Sequence, residues 1–193
     1  GAHVYLLGKV PSPKILLKAF EEVKPNLILT VPLILEKIYK KMILPQLSKT
    51  TMKVALNIPL LDSRIYAQIR KKLVDAFGGR FREVIVGGAA MNEEVTNFLY
   101  KIKFPFTIGY GMTECGPLIS YDHNDEYVPG SCGQILKGIM KVRIDSEDPY
   151  NKVGEIQVSG ENVMKGYYKN EEATSKVFTE DGWLRTGDLG TID

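Results

Sequence analysis

The chain has 193 residues, 44% of them hydrophobic, enough to bury a substantial core as one large domain or two small ones. Its 25 basic and 23 acidic side chains nearly cancel; the formal charge of +2 gives no bulk electrostatic case for nucleic-acid binding, and no nucleic acid is expected as a partner. Two cysteines, Cys115 and Cys132, make neither a disulfide framework nor a metal site, so the expected setting is reducing and intracellular. No apolar run approaches the roughly 20 residues that span a bilayer. The start, Gly1-Ala2-His3-Val4-Tyr5, has no basic segment ahead of an apolar one and is not a signal peptide. It lacks an initiator methionine and opens directly into a strand-like run, as expected of a piece excised from a longer protein.

Residues 2–7 read as a strand, closed by Gly8 and by Pro11-Ser12-Pro13. Ser12 is a helix N-cap with Pro13 at the first helical position, where its missing N–H costs nothing. Ile15, Leu16, Ala19, Phe20 and Val23 then recur at helical spacing until Pro25. Residues 26–31 form a second apolar strand, and Pro32 opens a helix with Ile34, Ile38 and Met42 on one face. Lys37, Lys40 and Lys41 read as its solvated side rather than as a membrane or nucleic-acid contact. Residues 45–60 are a loop with room for one helical turn. Ile65, Ile69, Leu73 and Phe77 fall four apart, and Gly78-Gly79 closes that helix.

Residues 83–86 make a short strand that runs into Gly87-Gly88-Ala89-Ala90. Asn92 caps a helix whose first turn holds Glu93 and Glu94 and whose buried stripe is Val95, Phe98, Leu99 and Ile102. The apolar run 104–108 is a further strand. Strands alternating with helices predict a parallel sheet covered on both faces. After about Pro117 the texture changes to short alternating runs, 142–144 and 155–158, separated by glycines, which predict antiparallel strands in a small barrel or sandwich. A short helix is expected over 171–177. Asp181-Gly182 signals a hairpin, and residues 183–185 and 189–192 flank the polar Thr186-Gly187-Asp188. The fold class is therefore α/β, a parallel sheet with flanking helices followed by a small antiparallel, barrel-like subdomain. Its expected division is an α/β part over 1–120 and a β-rich part over 121–193.

Two strand ends carry glycine-rich turns, Gly87-Gly88-Ala89-Ala90 and Gly109-Tyr110-Gly111. In a parallel sheet they share the carboxyl edge, where ligands bind in open α/β folds. Glycines let the backbone approach a ligand closely. Tyr110 offers a flat face to a base, and Thr113 and Glu114 can meet a phosphate and its magnesium ion. The same spacing also suits a plain turn in which Thr113 and Glu114 only cap a helix. Asp188 has two readings as well: its carboxylate receives backbone N–H groups in a turn, or it accepts a pair of ribose hydroxyls. No Gly-x-x-x-x-Gly-Lys-Ser/Thr loop is present, which excludes a P-loop enzyme. His3 and His123 have no metal-ligand partners at a suitable spacing. His123 reads as an exposed loop residue near Asp122 and Asp125, and Cys115 as a small residue packed behind the turn.

Gly109-Tyr110-Gly111-Met112-Thr113-Glu114 closely resembles the central signature of the adenylate-forming superfamily: acyl-CoA synthetases, luciferases and peptide-synthetase adenylation domains. Gly87-Gly88-Ala89-Ala90 resembles the family's acyl and adenine-site turn. Gly154-Glu155-Ile156 with Gly166-Tyr167-Tyr168 resembles the next block, and the stretch from Asp181 to Asp188 the late block that contacts ribose. Residues 31–39, Val-Pro-Leu-Ile-Leu-Glu-Lys-Ile-Tyr, resemble a segment of long-chain fatty acyl-CoA ligases. Met112, where peptide-synthetase domains carry proline, favours the acyl-CoA synthetase and luciferase branch.

The resemblance implies a two-step ligase. A fatty acid carboxylate attacks the α-phosphorus of ATP to give an acyl-adenylate and pyrophosphate, and the thiol of coenzyme A then displaces AMP. Gly87, Gly88, Ala89, Gly109 and Gly111 would line the nucleotide and acyl site, and Tyr110 would stack on adenine. Thr113 would contact phosphate, Glu114 would bind Mg²⁺, and Asp188 would hold the ribose. A Ser/Thr/Gly-rich phosphate loop with its lysine is expected before residue 1, and a mobile C-terminal domain with a second lysine after Asp193. The piece alone is accordingly expected not to turn over. The expected location is the cytoplasm, with transient contact at the inner membrane face for long acyl substrates. The competing readings are an adenylation domain for another acid (aryl, medium-chain or amino acid) and a non-catalytic domain that binds an adenylate or a partner protein.

Overall fold

The structure, a computed structural model, describes residues 3–8 and 12–193. They fall into two compact units, Gly1–Ile108 with His123–Ser131, and Gly109–Asp122 with Cys132–Asp193.

In the first unit, Ser12 Oγ accepts the Ile15 N–H at 3.4 Å and Pro13 opens α1 (Pro13–Val23). Lys24 takes a left-handed conformation at φ 49°, its N–H bonded to the Phe20 carbonyl, and Pro25 bars any further turn. β1 (Leu27–Thr30) leads to α2 (Pro32–Ile38), which continues as a π-helical turn over Tyr39–Ile43 into α3 (Leu44–Leu47). Pro45 explains the widened turn: its ring collides with the carbonyl four residues back in a regular helix, and its own N–H is missing. The extra residue moves the buried stripe, so Ile43 is 4% exposed while Met42, expected on that stripe, is 38% exposed. Residues 50–56, expected to be loop, form α4 (Thr50–Leu56). This helix buries no residue fully, which is why it leaves no apolar stripe in the sequence. α5 (Leu61–Ala76) ends at Gly78 and Gly79, both at positive φ.

β2 (Glu83–Val86), α6 (Glu93–Lys101) and β3 (Phe106–Ile108) complete this unit's regular structure. The three strands are parallel in the order β1-β2-β3, and Ile28, Val84 and Phe106 are in register. Together with Val86 they are buried among Ile34, Leu35, Ile38, Leu73, Phe77, Val95 and Leu99. The opposite face is open at β1, where Leu27 is 50% and Leu29 73% exposed. Coverage is therefore complete on one face only, not on both. The strand expected over residues 2–7 is absent among its described residues, and Val4 and Leu6 are exposed; Ala2 lies outside them. Extended backbone needs a neighbour for its N–H and C=O groups, and β1 is the outermost strand of its sheet. Segment 123–131 returns to this unit. Buried Glu83 accepts the Asn124 N–H at 3.1 Å and lies 3.4 Å from His123 Nδ1, and Tyr127 packs on Phe106 and Tyr100. His123 is exposed, as expected, and has the buried Glu83 carboxylate beside it.

In the second unit, β4 (Tyr110–Gly111) pairs antiparallel with β5 (Leu118–Ser120). β6 (Met140–Asp145), β7 (Gly154–Gly160) and β8 (Leu184–Gly190) form a separate antiparallel sheet. α7 (Glu171–Val177) is capped by Asn170. Both sheets stay open. Closure around a side-chain-filled interior takes about eight strands, so an open sheet stands where a barrel-like form is expected. Cys115, Ile119, Met140, Val158 and Leu184 are the buried core. The Asp181-Gly182 signal is a turn in which Thr179 N–H bonds to the Trp183 carbonyl and Gly182 sits at φ +83°. Arg143 on β6 clamps it: two guanidinium nitrogens reach Asp181 at 2.6 and 3.0 Å, Nε reaches Gln157, and the guanidinium lies 4.5 Å from the Trp183 ring centre.

Candidate nucleotide site

The stretch from Gly109 to Pro117 is shaped by close backbone approach. A Cβ on Gly111 would lie 1.9 Å from the Pro117 carbonyl oxygen, so only glycine lets β4 meet β5. Gly111 therefore has a local structural task, whatever it lines. Thr113–Cys115 is a single 3₁₀ turn that receives no side-chain cap, and Gly116 ends it at φ +60°. Thr113 and Glu114 lie within this turn, with Met112 at its cap position. Asn162 holds the turn from behind, its Nδ2 donating to the carbonyls of Cys115 at 2.6 Å and Leu118 at 2.9 Å. Cys115 is fully buried, and burial pushes its thiol up to about 11. It packs and stays neutral.

The late block is not a loop between two strands but one strand with a bulge. Glu155 pairs with Leu189 and Gln157 with Arg185, so Thr186, Gly187 and Asp188 stand opposite Ile156 alone. The bulge has its own bonds: Thr186 Oγ1 donates to the Ile156 carbonyl at 2.8 Å and accepts the Asp188 N–H at 3.1 Å, and Gly187 takes φ +76°. Such bulges re-aim a side chain out of the pleat. Here the result is that the Tyr110 hydroxyl donates to Asp188 Oδ2 at 2.8 Å, across 78 residues of sequence. Burial, and then the adjoining Asp188 carboxylate, push the Tyr110 phenol above its ordinary value. Asp188 is exposed, and of its two carboxylate oxygens Oδ2 is the one that takes this bond.

Glu114 is half-buried. Its carbonyl accepts the Met164 N–H at 2.7 Å, and its Oε1 accepts the Tyr167 hydroxyl at 2.8 Å. Among the described residues no three His, Cys, Asp or Glu side chains gather as a metal cage. A lone carboxylate beside an exposed hydroxyl, Thr113, nevertheless suits Mg²⁺, which takes most of its ligands from phosphates and water. The donor set fits that ion.

In the first unit, Val86 and Ile108 are paired, so Gly87 and Gly109 each follow the last residue of neighbouring parallel strands. Gly87 donates to the Thr30 carbonyl at 3.1 Å, Gly88 takes φ +86°, and Gly88 and Ala89 are exposed. The stretch 31–39 braces the far end of this turn. Glu36 Oε1 accepts the Asn92 N–H at 3.0 Å, and the Tyr39 hydroxyl donates to Glu94 at 2.9 Å. Burial and the Glu94 carboxylate push the Tyr39 phenol up to about 12. Glu36, Tyr39, Asn162 and Tyr167 are contributors that local sequence reading passes over. Residues 31–39 and 166–168 mark three of them as members of recognisable blocks; Asn162 carries no signal.

The family model for AMP-binding enzymes matches residues 1–168. Long-chain-fatty-acid–CoA ligase 1 of Saccharomyces cerevisiae is 30% identical over 187 residues, covering 88% of this chain and 27% of that protein. The 4-coumarate–CoA ligase 1 of Narcissus pseudonarcissus is 35% identical over 148 residues, covering 70% of this chain and 27% of that protein. Among solved structures, ATP-bound MatB from Rhodopseudomonas palustris superposes with a TM-score of 0.67 at 26% identity, covering 97% of this chain and 32% of that one. The chain thus spans about a quarter of the length of these curated relatives. With the family model matched over most of its length, and the Gly109–Glu114 and Asp181–Asp188 blocks converging in one unit, the chain belongs to the AMP-binding enzyme family.

Proposed function

We propose that the chain supplies the nucleotide-facing part of an ATP-dependent long-chain fatty acid–CoA ligase. The observation that carries the reading is the Tyr110–Asp188 pair: two blocks far apart in sequence meet to set a flat ring beside a ribose-sized acceptor. Tyr110 faces the adenine, Asp188 accepts the ribose hydroxyls, and Thr113 meets the phosphates. Glu114 would hold Mg²⁺, and the bound ion would supply positive charge against the phosphates. Gly87, Gly88, Ala89 and Gly109 keep the backbone low enough for the nucleotide and acyl group to approach. The fatty acid is activated as its adenylate, and coenzyme A takes the acyl group. The chain spans about a quarter of the length of its curated relatives, and the activity proposed is that of the full-length protein.

The long-chain preference is supported by the extent of the yeast match, 88% of the chain, against 70% for the Narcissus ligase. The higher identity of the 4-coumarate ligases favours a second reading, an arylpropenoic acid as substrate. A pyrophosphate-release assay on the full-length protein, with acids of graded chain length and with 4-coumarate, separates them. Release with C14–C18 acids is expected. Release confined to 4-coumarate or short acids refutes the long-chain assignment.

A further inference from the structure

The Gly166-Tyr167-Tyr168 block has no assigned task, yet its middle residue reaches the site. The geometry points to Tyr167 as a positioning residue that fixes Glu114 for the metal; this rests on the proposed role of Glu114 as the Mg²⁺ ligand.

The Tyr167 hydroxyl donates to Glu114 Oε1 at 2.8 Å across 53 residues of sequence. The contact is built from the backbone up. The Met164 N–H ties to the Glu114 carbonyl at 2.7 Å, bringing the two segments side by side three residues before the tyrosine. The chain then passes Thr174 so tightly that a Cβ on Gly166 would lie 2.7 Å from Thr174 Cγ2, and Gly166 holds φ +148°. Thr174 Oγ1 accepts the Tyr167 N–H at 2.9 Å and donates to the Asn170 carbonyl at 2.7 Å, while Asn170 N–H returns to the Tyr167 carbonyl. The cap of α7 therefore fixes the tyrosine's backbone, and the ring carries that rigidity to the carboxylate. Glu114 follows the exposed Thr113 in a one-turn 3₁₀ segment and would otherwise swing among several rotamers. With Oε1 engaged, the other oxygen is offered in one direction. A hydrogen-bonded outer partner of this kind typically changes metal affinity by about 10–100-fold when removed.

Lys165, Lys169 and Glu171, on the same loop and α7, line a surface cleft with Tyr167. The phenol is the side chain that holds the Glu114 carboxylate.

The test is a double-mutant cycle in the full-length protein. Binding of Mn²⁺ in the presence of α,β-methylene-ATP is read by electron paramagnetic resonance for wild type, Tyr167→Phe, Glu114→Gln and the double variant. The expectation is about tenfold weaker Mn²⁺ binding for Tyr167→Phe, with little further loss when Glu114→Gln is already present. In turnover assays the same variant should need more Mg²⁺ for half-maximal rate yet recover its rate at saturating Mg²⁺. If Glu114→Gln weakens Mn²⁺ binding and Tyr167→Phe does not, or the two losses simply add, the positioning role is overturned and the metal reading stands. If Glu114→Gln leaves Mn²⁺ binding unchanged, the metal reading falls and the inference with it. A second measurement follows the phenol itself: in ¹³Cζ-tyrosine protein already saturated with α,β-methylene-ATP, the resonance assigned to Tyr167 by its loss in Tyr167→Phe should move on adding Mg²⁺, and not in Glu114→Gln. The same movement in both proteins also overturns the proposal.

Discussion

Replacing Gly111 by alanine tests whether this glycine is held by backbone geometry rather than by a ligand. The added Cβ would sit 1.9 Å from the Pro117 carbonyl oxygen and 2.9 Å from both Pro117 C and Leu118 Cα. All three atoms are backbone, so no side-chain rotation relieves the contact. Reaching ordinary van der Waals distance requires β4 and β5 to part by about 1.5 Å, which breaks the pairing of Gly111 with Leu118. Overpacking of this size costs about 1–3 kcal/mol, and each lost backbone hydrogen bond about 1 more. The expected destabilisation is about 3 kcal/mol, a large part of a typical domain's total. Gly138 is the control. It has φ +79° but nothing within 4 Å of a built Cβ, so Gly138→Ala should cost only the left-handed backbone term, about 1–2 kcal/mol. Urea unfolding followed by Trp183, the single tryptophan of the chain, gives both values. Equal losses of 1 kcal/mol or less would refute the steric argument.

Asp188→Ala in the full-length protein should raise the KM for ATP and lower kcat/KM by the equivalent of about 1–3 kcal/mol, the worth of charged hydrogen bonds; unchanged ATP dependence removes Asp188 from the site. Arg143 and Thr179 hold the Asp181 carboxyl well below its ordinary 3.8. A depressed carboxyl stabilises the fold fully above the unfolded value and loses that contribution as pH falls through the folded one. Asp181→Asn should therefore flatten the loss of stability below pH 4, measured by thermal melts across pH 2–6, and a slope identical to wild type would count against the clamp.

The elements legible in the sequence are those whose signals are local. Ser12-Pro13, Asn92 and Gly78-Gly79 bound α1, α6 and α5, because caps act within one turn of the residues they bond. β2 and α7 are found at their expected bounds for the same reason. What stays hidden depends on distant partners. An apolar run such as residues 3–7 cannot announce whether a neighbouring strand will accept it. α4 is unreadable because it packs loosely, and β5 because only Tyr110 and Gly111 define it. In the site, residue types are legible and their pairings are not: Tyr110 finds Asp188, and Glu114 finds Tyr167, only after the second unit has folded. The Thr186–Asp188 bulge has the same origin, since it is defined by the facing strand.

The π-helical turn over Tyr39–Ile43 has a consequence for changes in chain length. A regular α-helix rotates everything downstream by about 100° when one residue is added or removed, which carries a buried stripe toward solvent. This segment already contains the one surplus residue, absorbed as a wider turn. Once Pro45 is replaced by alanine, so that no ring meets the carbonyl four residues back, deleting a residue such as exposed Lys40 or Lys41 converts the turn to α-helical pitch and leaves Ile38 behind it and α3 ahead of it on their present bearings. The helix that braces the Gly87–Ala90 turn through Glu36 therefore has a place where its length can change by one without turning its buried face.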